Sequence, residues 1–167
     1  MKLLRRCIPL LCLLLCACGT VRSAVVTAPN APLSTAQFAF TPVTADSKEK
    51  NPDADAYNTQ LKADAQQALI AMVRNRGGKW VKAGSNAQTI VVRVHSVYGN
   101  RALRAFVGWG AGSAKITVDI SLQAADGRVI YATRTDGKLR RGLAGGNVLK
   151  VGERTIQKAF LDFDKRF

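Results

Sequence analysis

The chain has 167 residues, with 25 Lys and Arg against 11 Asp and Glu, for a formal net charge of +14. That length suits one domain with one core, and the charge excess attracts polyanions. A lone histidine, and four cysteines that all fall within residues 1–18, leave few ligands for a zinc or copper site and no cysteine pair beyond residue 18.

Residues 1–18 combine a basic start (Lys2, Arg5, Arg6), an apolar run from Ile8 to Leu15, and a small residue, Ala17, before Cys18. That is the order of a secretory signal peptide. The run is shorter than the roughly 20 apolar residues a membrane-spanning helix needs. The tetrad Leu15-Cys16-Ala17-Cys18 resembles the lipobox of bacterial lipoproteins, with a branched apolar residue first, a small residue third and cysteine fourth. Cys16 fits less well, because Leu15 would then stand at the small position. The resemblance implies a signal peptide over 1–17, an acyl anchor on Cys18 as the lipidation site and, from Gly19 in place of aspartate, forwarding to the outer membrane with the domain facing the periplasm. Loss of the leader leaves 22 basic residues against 11 acidic ones, a net charge of +11. The compartment excludes nucleic acid and leaves lipid phosphates, peptidoglycan carboxylates and acidic protein surfaces as partners.

Residues 18–37 read as the lipidated cysteine and a flexible tether, with Pro29, Asn30 and Pro32 and almost no charge; a single domain follows over 38–167. Phe38, Phe40 and Pro42 suggest a short edge strand, since proline cannot donate to a ladder. Thr44 to Asp55, charged and carrying Pro52, reads as a loop. Between Ala56 and Arg76, Leu61, Ala65, Ala68, Leu69, Met72 and Val73 recur at helical spacing, and Gly77-Gly78 supply the stop. Trp80 and Val81 begin a return, with Trp80 a core or rim residue. Three alternating segments then predict antiparallel strands covered on one face: Ile90 to Val94, Ile116 to Leu122 and Val129 to Thr133. Asp126-Gly127 is a hairpin turn that pairs the second with the third. A last helix from about Asn147 to Phe167 carries Leu149, Ile156, Phe160, Phe163 and Phe167 on one stripe. The order β-α-β-β-β-α predicts an α+β two-layer sandwich, a small mostly antiparallel sheet with two helices on one face.

From Gly99 to Asp119 the chain reads Gly-Asn-Arg-Ala-Leu-Arg-Ala-Phe-Val-Gly-Trp-Gly-Ala-Gly-Ser-Ala-Lys-Ile-Thr-Val-Asp. With Asp126-Gly127-Arg128 and the later glycine-rich turn Gly142 to Gly146, this resembles the bacterial lipoprotein family known as domain of unknown function 4410. The resemblance is loose over Asp55 to Phe167 and close over Gly99 to Ile130, and it implies no particular activity. Two readings of Gly108, Gly110 and Gly112 stand side by side: close backbone packing, or an apolar loop that presents Phe106, Val107 and Trp109 to a partner or membrane beside Arg101 and Arg104. The run is no phosphate-binding loop, because Gly112-Ser113-Ala114-Lys115 breaks the Gly-Lys-Ser/Thr order.

His95 stands on the polar register of a strand with no carboxylate near it in sequence, and reads as an exposed or satisfied histidine. Asp53 and Asp55 lack the remaining ligands of a calcium loop, and nothing singles out a carboxylate pair for glycan hydrolysis. Neither a catalytic residue, a cofactor nor a metal is expected. Arg128, Arg134, Lys138, Arg140 and Arg141 place five cations on and after one strand, either a solvated face or an anion-binding patch. The sequence thus points to a lipid-anchored, non-enzymatic interaction or assembly module that binds a periplasmic or outer-membrane protein or its own copies. The alternative is a basic binder of peptidoglycan or anionic lipid, and a cell-wall hydrolase is a remote third.

Overall fold

The computed structural model describes residues 20–28, 37–39, 41–50, 52–81, 87–97, 114–139 and 148–165, with only the backbone at residue 80. Its elements run β1 (Thr20–Thr27), β2 (Gln37–Ala39), β3 (Thr44–Ser47), α1 (Pro52–Asn75), β4 (Lys79–Val81), β5 (Gln88–Val97), β6 (Lys115–Gln123), β7 (Val129–Lys138) and α2 (Val148–Asp164). They form an α+β fold. One seven-stranded sheet has the order β1-β7-β6-β5-β2-β4, with β3 also pairing β5. β1, β7, β6 and β5 each run antiparallel to their neighbours in that order, whereas the short β2, β3 and β4 add parallel pairs at the other side.

The three long strands form as their alternation predicts. Ile90, Val92 and Val94 of β5, Ile116, Val118, Ile120 and Leu122 of β6, and Tyr131 of β7 are all buried. Gly127 takes a positive φ of 82° in the β6–β7 turn, where the Asp126 carboxylate accepts the Arg128 N–H at 2.9 Å. Both helices lie on this apolar face. α1 turns Ala54, Tyr57, Leu61, Ala65, Leu69, Met72 and Val73 inward, and α2 turns Val151, Gly152, Thr155, Ile156, Ala159, Phe160 and Phe163 inward. Tyr131 stacks on Phe163 with ring centroids 5.0 Å apart. Gly152 lets the helices meet: a Cβ there would lie 2.6 Å from a Leu61 methyl and 3.0 Å from the Tyr57 hydroxyl.

α1 ends in a Schellman motif. Gly77, at φ 64°, donates to the Arg74 carbonyl and Gly78 to that of Val73, both at 2.9 Å, which satisfies carbonyls the last turn leaves open.

The structure departs from the sequence reading in five places. β2, expected at an edge because of Pro42, ends at Ala39 before that proline and lies between β5 and β4. Thr20–Thr27, inside the stretch read as tether, is a strand paired antiparallel to β7. Its five β-branched residues (Thr20, Val21, Val25, Val26, Thr27) favour extended backbone, even though the segment lacks clean alternation. The expected loop over 44–55 contains β3 and the first turn of α1: Pro52 occupies the first helical position, where its missing N–H costs nothing, and Asp53 and Asp55 complement the helix dipole. The short β4 at Lys79–Val81 adds a further strand at the sheet's edge. Leu149, placed on the buried stripe, is 51% exposed, because Val151 and Thr155 face the sheet instead. Phe40, Phe167 and the Trp80 side chain lie outside the described residues.

Candidate functional site

The sheet face turned away from the helices is polar, and cross-strand register decides what meets there. On β5, β6 and β7 the outward residues include Arg93, His95, Lys115, Thr117, Asp119, Arg134 and Asp136; β3 adds Asp46 and β1 adds Arg22. Their pairing forms a ladder across four strands. His95 Nδ1 is 2.5 Å from Asp46 Oδ1, and its Nε2 is 3.9 Å from Asp119 Oδ2. Asp119 accepts two hydrogen bonds from Arg134, at 2.7 and 3.1 Å. Further along, Asp136 accepts from the Thr117 hydroxyl at 2.6 Å and lies 3.2 Å from Lys115 Nζ.

Two of these groups titrate away from their ordinary values. The hydrogen bond and charge of Asp119 hold the Arg134 guanidinium further above its usual range, against slight burial. Burial opposes ionisation of Asp136, but the hydrogen bonds from Thr117 and Lys115 and the charges of Lys115 and Arg134 outweigh it and lower its pKa. The ladder is thus an ion-paired lattice on an exposed surface. His95 stands between two carboxylates, those of Asp46 and Asp119. Among the described residues, no three His, Cys, Asp or Glu side chains come together to hold a metal ion.

A second grouping lies along the sheet's edge. β1 and β6 start, and β5 and β7 finish, at one end, here the near end: Thr20 pairs with Lys138, Lys138 with Lys115, and Lys115 with Val97. Leu139 N–H donates to the Ala114 carbonyl at 2.9 Å and ties the same end together. The hairpin with Asp126 and Arg128 forms the far end, about 30 Å away along the ten residues of β7.

This geometry divides the basic strand inferred from sequence. Arg128 sits at the far end beside Asp126, with 3.7 Å between Nε and Oδ2. Arg134 is mid-sheet and bound to Asp119. Lys138 is at the near end and has no ion-pair partner among the described residues. The three therefore do not make one patch. Cys18, Arg101, Arg104, Phe106, Trp109, Arg140 and Arg141 lie outside the described residues. Sequence reasoning did not single out Asp46, Arg22 or Lys115. Asp119 was legible as outward on its strand, but its partner follows only from the β6–β7 register.

A shallow depression lined by Ala45, Asp55, Asn58, Thr59 and Lys62 opens beside β3 and α1, with Asn58 already accepting from the Ser96 hydroxyl at 2.7 Å.

Solved structures with a distant likeness include a dodecamer of PelC from Paraburkholderia phytofirmans, with 18% identity, 85% of this chain and 94% of that one covered, and a TM-score of 0.48. A minor lipoprotein from Acinetobacter baumannii shows 11% identity, coverage of 80% and 92%, and a TM-score of 0.44. At these values neither bears on activity or partners. No curated protein matches the chain. A family model does match residues 34–146, from before β2 to just before α2 and leaving β1 outside. The chain belongs to the family described as domain of unknown function 4410.

Proposed function

We propose that this chain is an exported lipoprotein, cut before Cys18, acylated there and held at the periplasmic face of the outer membrane as a non-enzymatic interaction module. The observation that carries the reading is the order basic start, apolar run, Leu15-Cys16-Ala17-Cys18, placed directly before the first strand at Thr20. An acyl anchor confines the domain to a membrane surface, where weak contacts act at high effective concentration. The sheet's outward face then serves as the contact surface: it is broad, polar and left uncovered by both helices. Several of its acids and bases pair across neighbouring strands, an arrangement suited to register with a complementary partner rather than to bond cleavage. A protein neighbour or a second copy of the chain is the partner class.

In-cell crosslinking of the full-length chain, beside Cys18→Ser, tests this. A recurrent protein neighbour that disappears with Cys18→Ser is expected. If neither a neighbour nor self-association is captured, the interaction reading fails, and binding of sacculi or anionic vesicles by the +11 mature chain becomes the better account.

A further inference from the structure

The near end of the sheet has a property that follows from chain length and register together. Two residue steps separate Cys18 from Thr20, a span of at most about 7 Å. Thr20 is the register partner of Lys138, and antiparallel partners lie about 5 Å apart at Cα. An acyl group on Cys18 therefore brings Lys138 to within about 12 Å of the lipidated residue. The polar layer on each side of a bilayer is about 5–8 Å thick, and surface charge is felt over a screening length of about 8 Å. Lys138 falls inside that reach, and Lys115 is its register partner on β6.

The charge at this end is suited to an anionic surface. Lys138, Lys115 and Arg22 sit on three adjoining strands, paired in the order Lys115↔Lys138 and Arg22↔Asp136. Among the described residues neither Arg22 nor Lys138 has an ion-pair partner. Asp136, the acid among them, is already engaged by Thr117 and Lys115. Lys48 and Lys50 follow β3 at the same end, on either side of Glu49, whose carboxylate accepts from the Ser47 hydroxyl at 3.2 Å. Asp53 and Asp55 belong to the first turn of α1, in the helix layer.

We infer that Arg22, Lys115 and Lys138 form a docking surface for the anionic phospholipid headgroups of the membrane that holds the lipid on Cys18. The sheet then stands on its near end, and the β6–β7 hairpin points about 30 Å outward. This rests on the anchoring reading above. It adds the second signal that makes a lipid anchor orient as well as tether, since each cation near an anionic surface strengthens binding by a factor of about five.

The test uses the full chain purified from membranes and reconstituted into vesicles of phosphatidylcholine alone or mixed with phosphatidylglycerol. A membrane-impermeant amine acylating reagent is applied, and labelled lysines are read by mass spectrometry. On the anionic vesicles Lys138 and Lys115 are expected to label roughly fivefold more slowly than on neutral ones. High salt should restore their reactivity, while Lys79 and Lys165 at the far end keep theirs. Arg22→Gln with Lys138→Gln should abolish the protection at Lys115. Equal labelling of Lys138 on both vesicles, with the Cys18 peptide carrying lipid, overturns the docking surface and leaves the anchor standing. An unacylated Cys18 overturns both.

Discussion

The two faces of β5, β6 and β7 come from the same residues taken alternately, yet they do different work. Inward stand Val92, Val94, Val118, Ile120 and Tyr131, each at most 1% exposed and packed under two helices. Outward stand Arg93, His95, Asp119 and Arg134, where Asp119 pairs with Arg134 and lies 3.9 Å from His95. Burying an aliphatic or aromatic side chain is worth about 1.5–3 kcal/mol, whereas an exposed ion pair contributes about 0–1 kcal/mol. Stability therefore belongs to the covered face. The open face is left to tolerate change, and what its residues contribute is a pattern of charge rather than cohesion.

Substitutions should separate the faces in order of size. Phe163→Ala removes the ring stacked on Tyr131, and chemical denaturation should show a loss of about 3–5 kcal/mol. Gly137→Ala comes next. Gly137 is buried against α2, where an added Cβ would stand 1.9 Å from Thr155 Oγ1, so helix or strand must shift; about 1–3 kcal/mol of destabilisation is expected by the same measurement. On the open face, Arg134→Ala breaks the bidentate contact to Asp119 but should cost less than about 1 kcal/mol. A loss for Arg134→Ala as large as that for Phe163→Ala would erase the distinction.

The smallest effect is a dependence on acid. Asp136 and Asp162 are both held below the ordinary carboxyl range. At each, burial works against ionisation; hydrogen bonds from Thr117 and Lys115 outweigh it at Asp136, and those from Lys158 and Ser23 at Asp162, with the nearby cations adding to both. A carboxyl whose folded pKa is lowered stabilises fully above its unfolded value, about pH 4, and the contribution is lost as pH falls through the folded value. Melting temperature should therefore decline on acidification below about pH 4, and Asp136→Asn should make that decline shallower. An unchanged slope in Asp136→Asn would show that the outward pairs are energetically silent.

The long periodic elements were legible in the sequence because each carries its own signal: the alternation of β5 to β7, the Gly77 stop and the Asp126-Gly127 turn are local. β1 was not legible, since its partner β7 lies about a hundred residues further along the chain and supplies the pairing that its weak pattern does not reveal. β2, β3 and β4 span three or four residues each, too short for a period. The site followed the same division. Cys18 and the basic residues could be named from sequence, but which cations are neutralised depends on register. Asp119 silences Arg134, Asp126 lies beside Arg128, and Lys138 is left at the near end. His95 had no carboxylate near it in sequence, and the fold brings Asp46 and Asp119 to its two nitrogens.

The most direct test of the account is the mass of the N-terminal peptide of the chain isolated from membranes. The account predicts a chain beginning at Cys18 and carrying acyl groups there, with Cys18→Ser retaining its leader and no lipid. A membrane-derived chain that begins elsewhere, or has an unmodified Cys18, would contradict it.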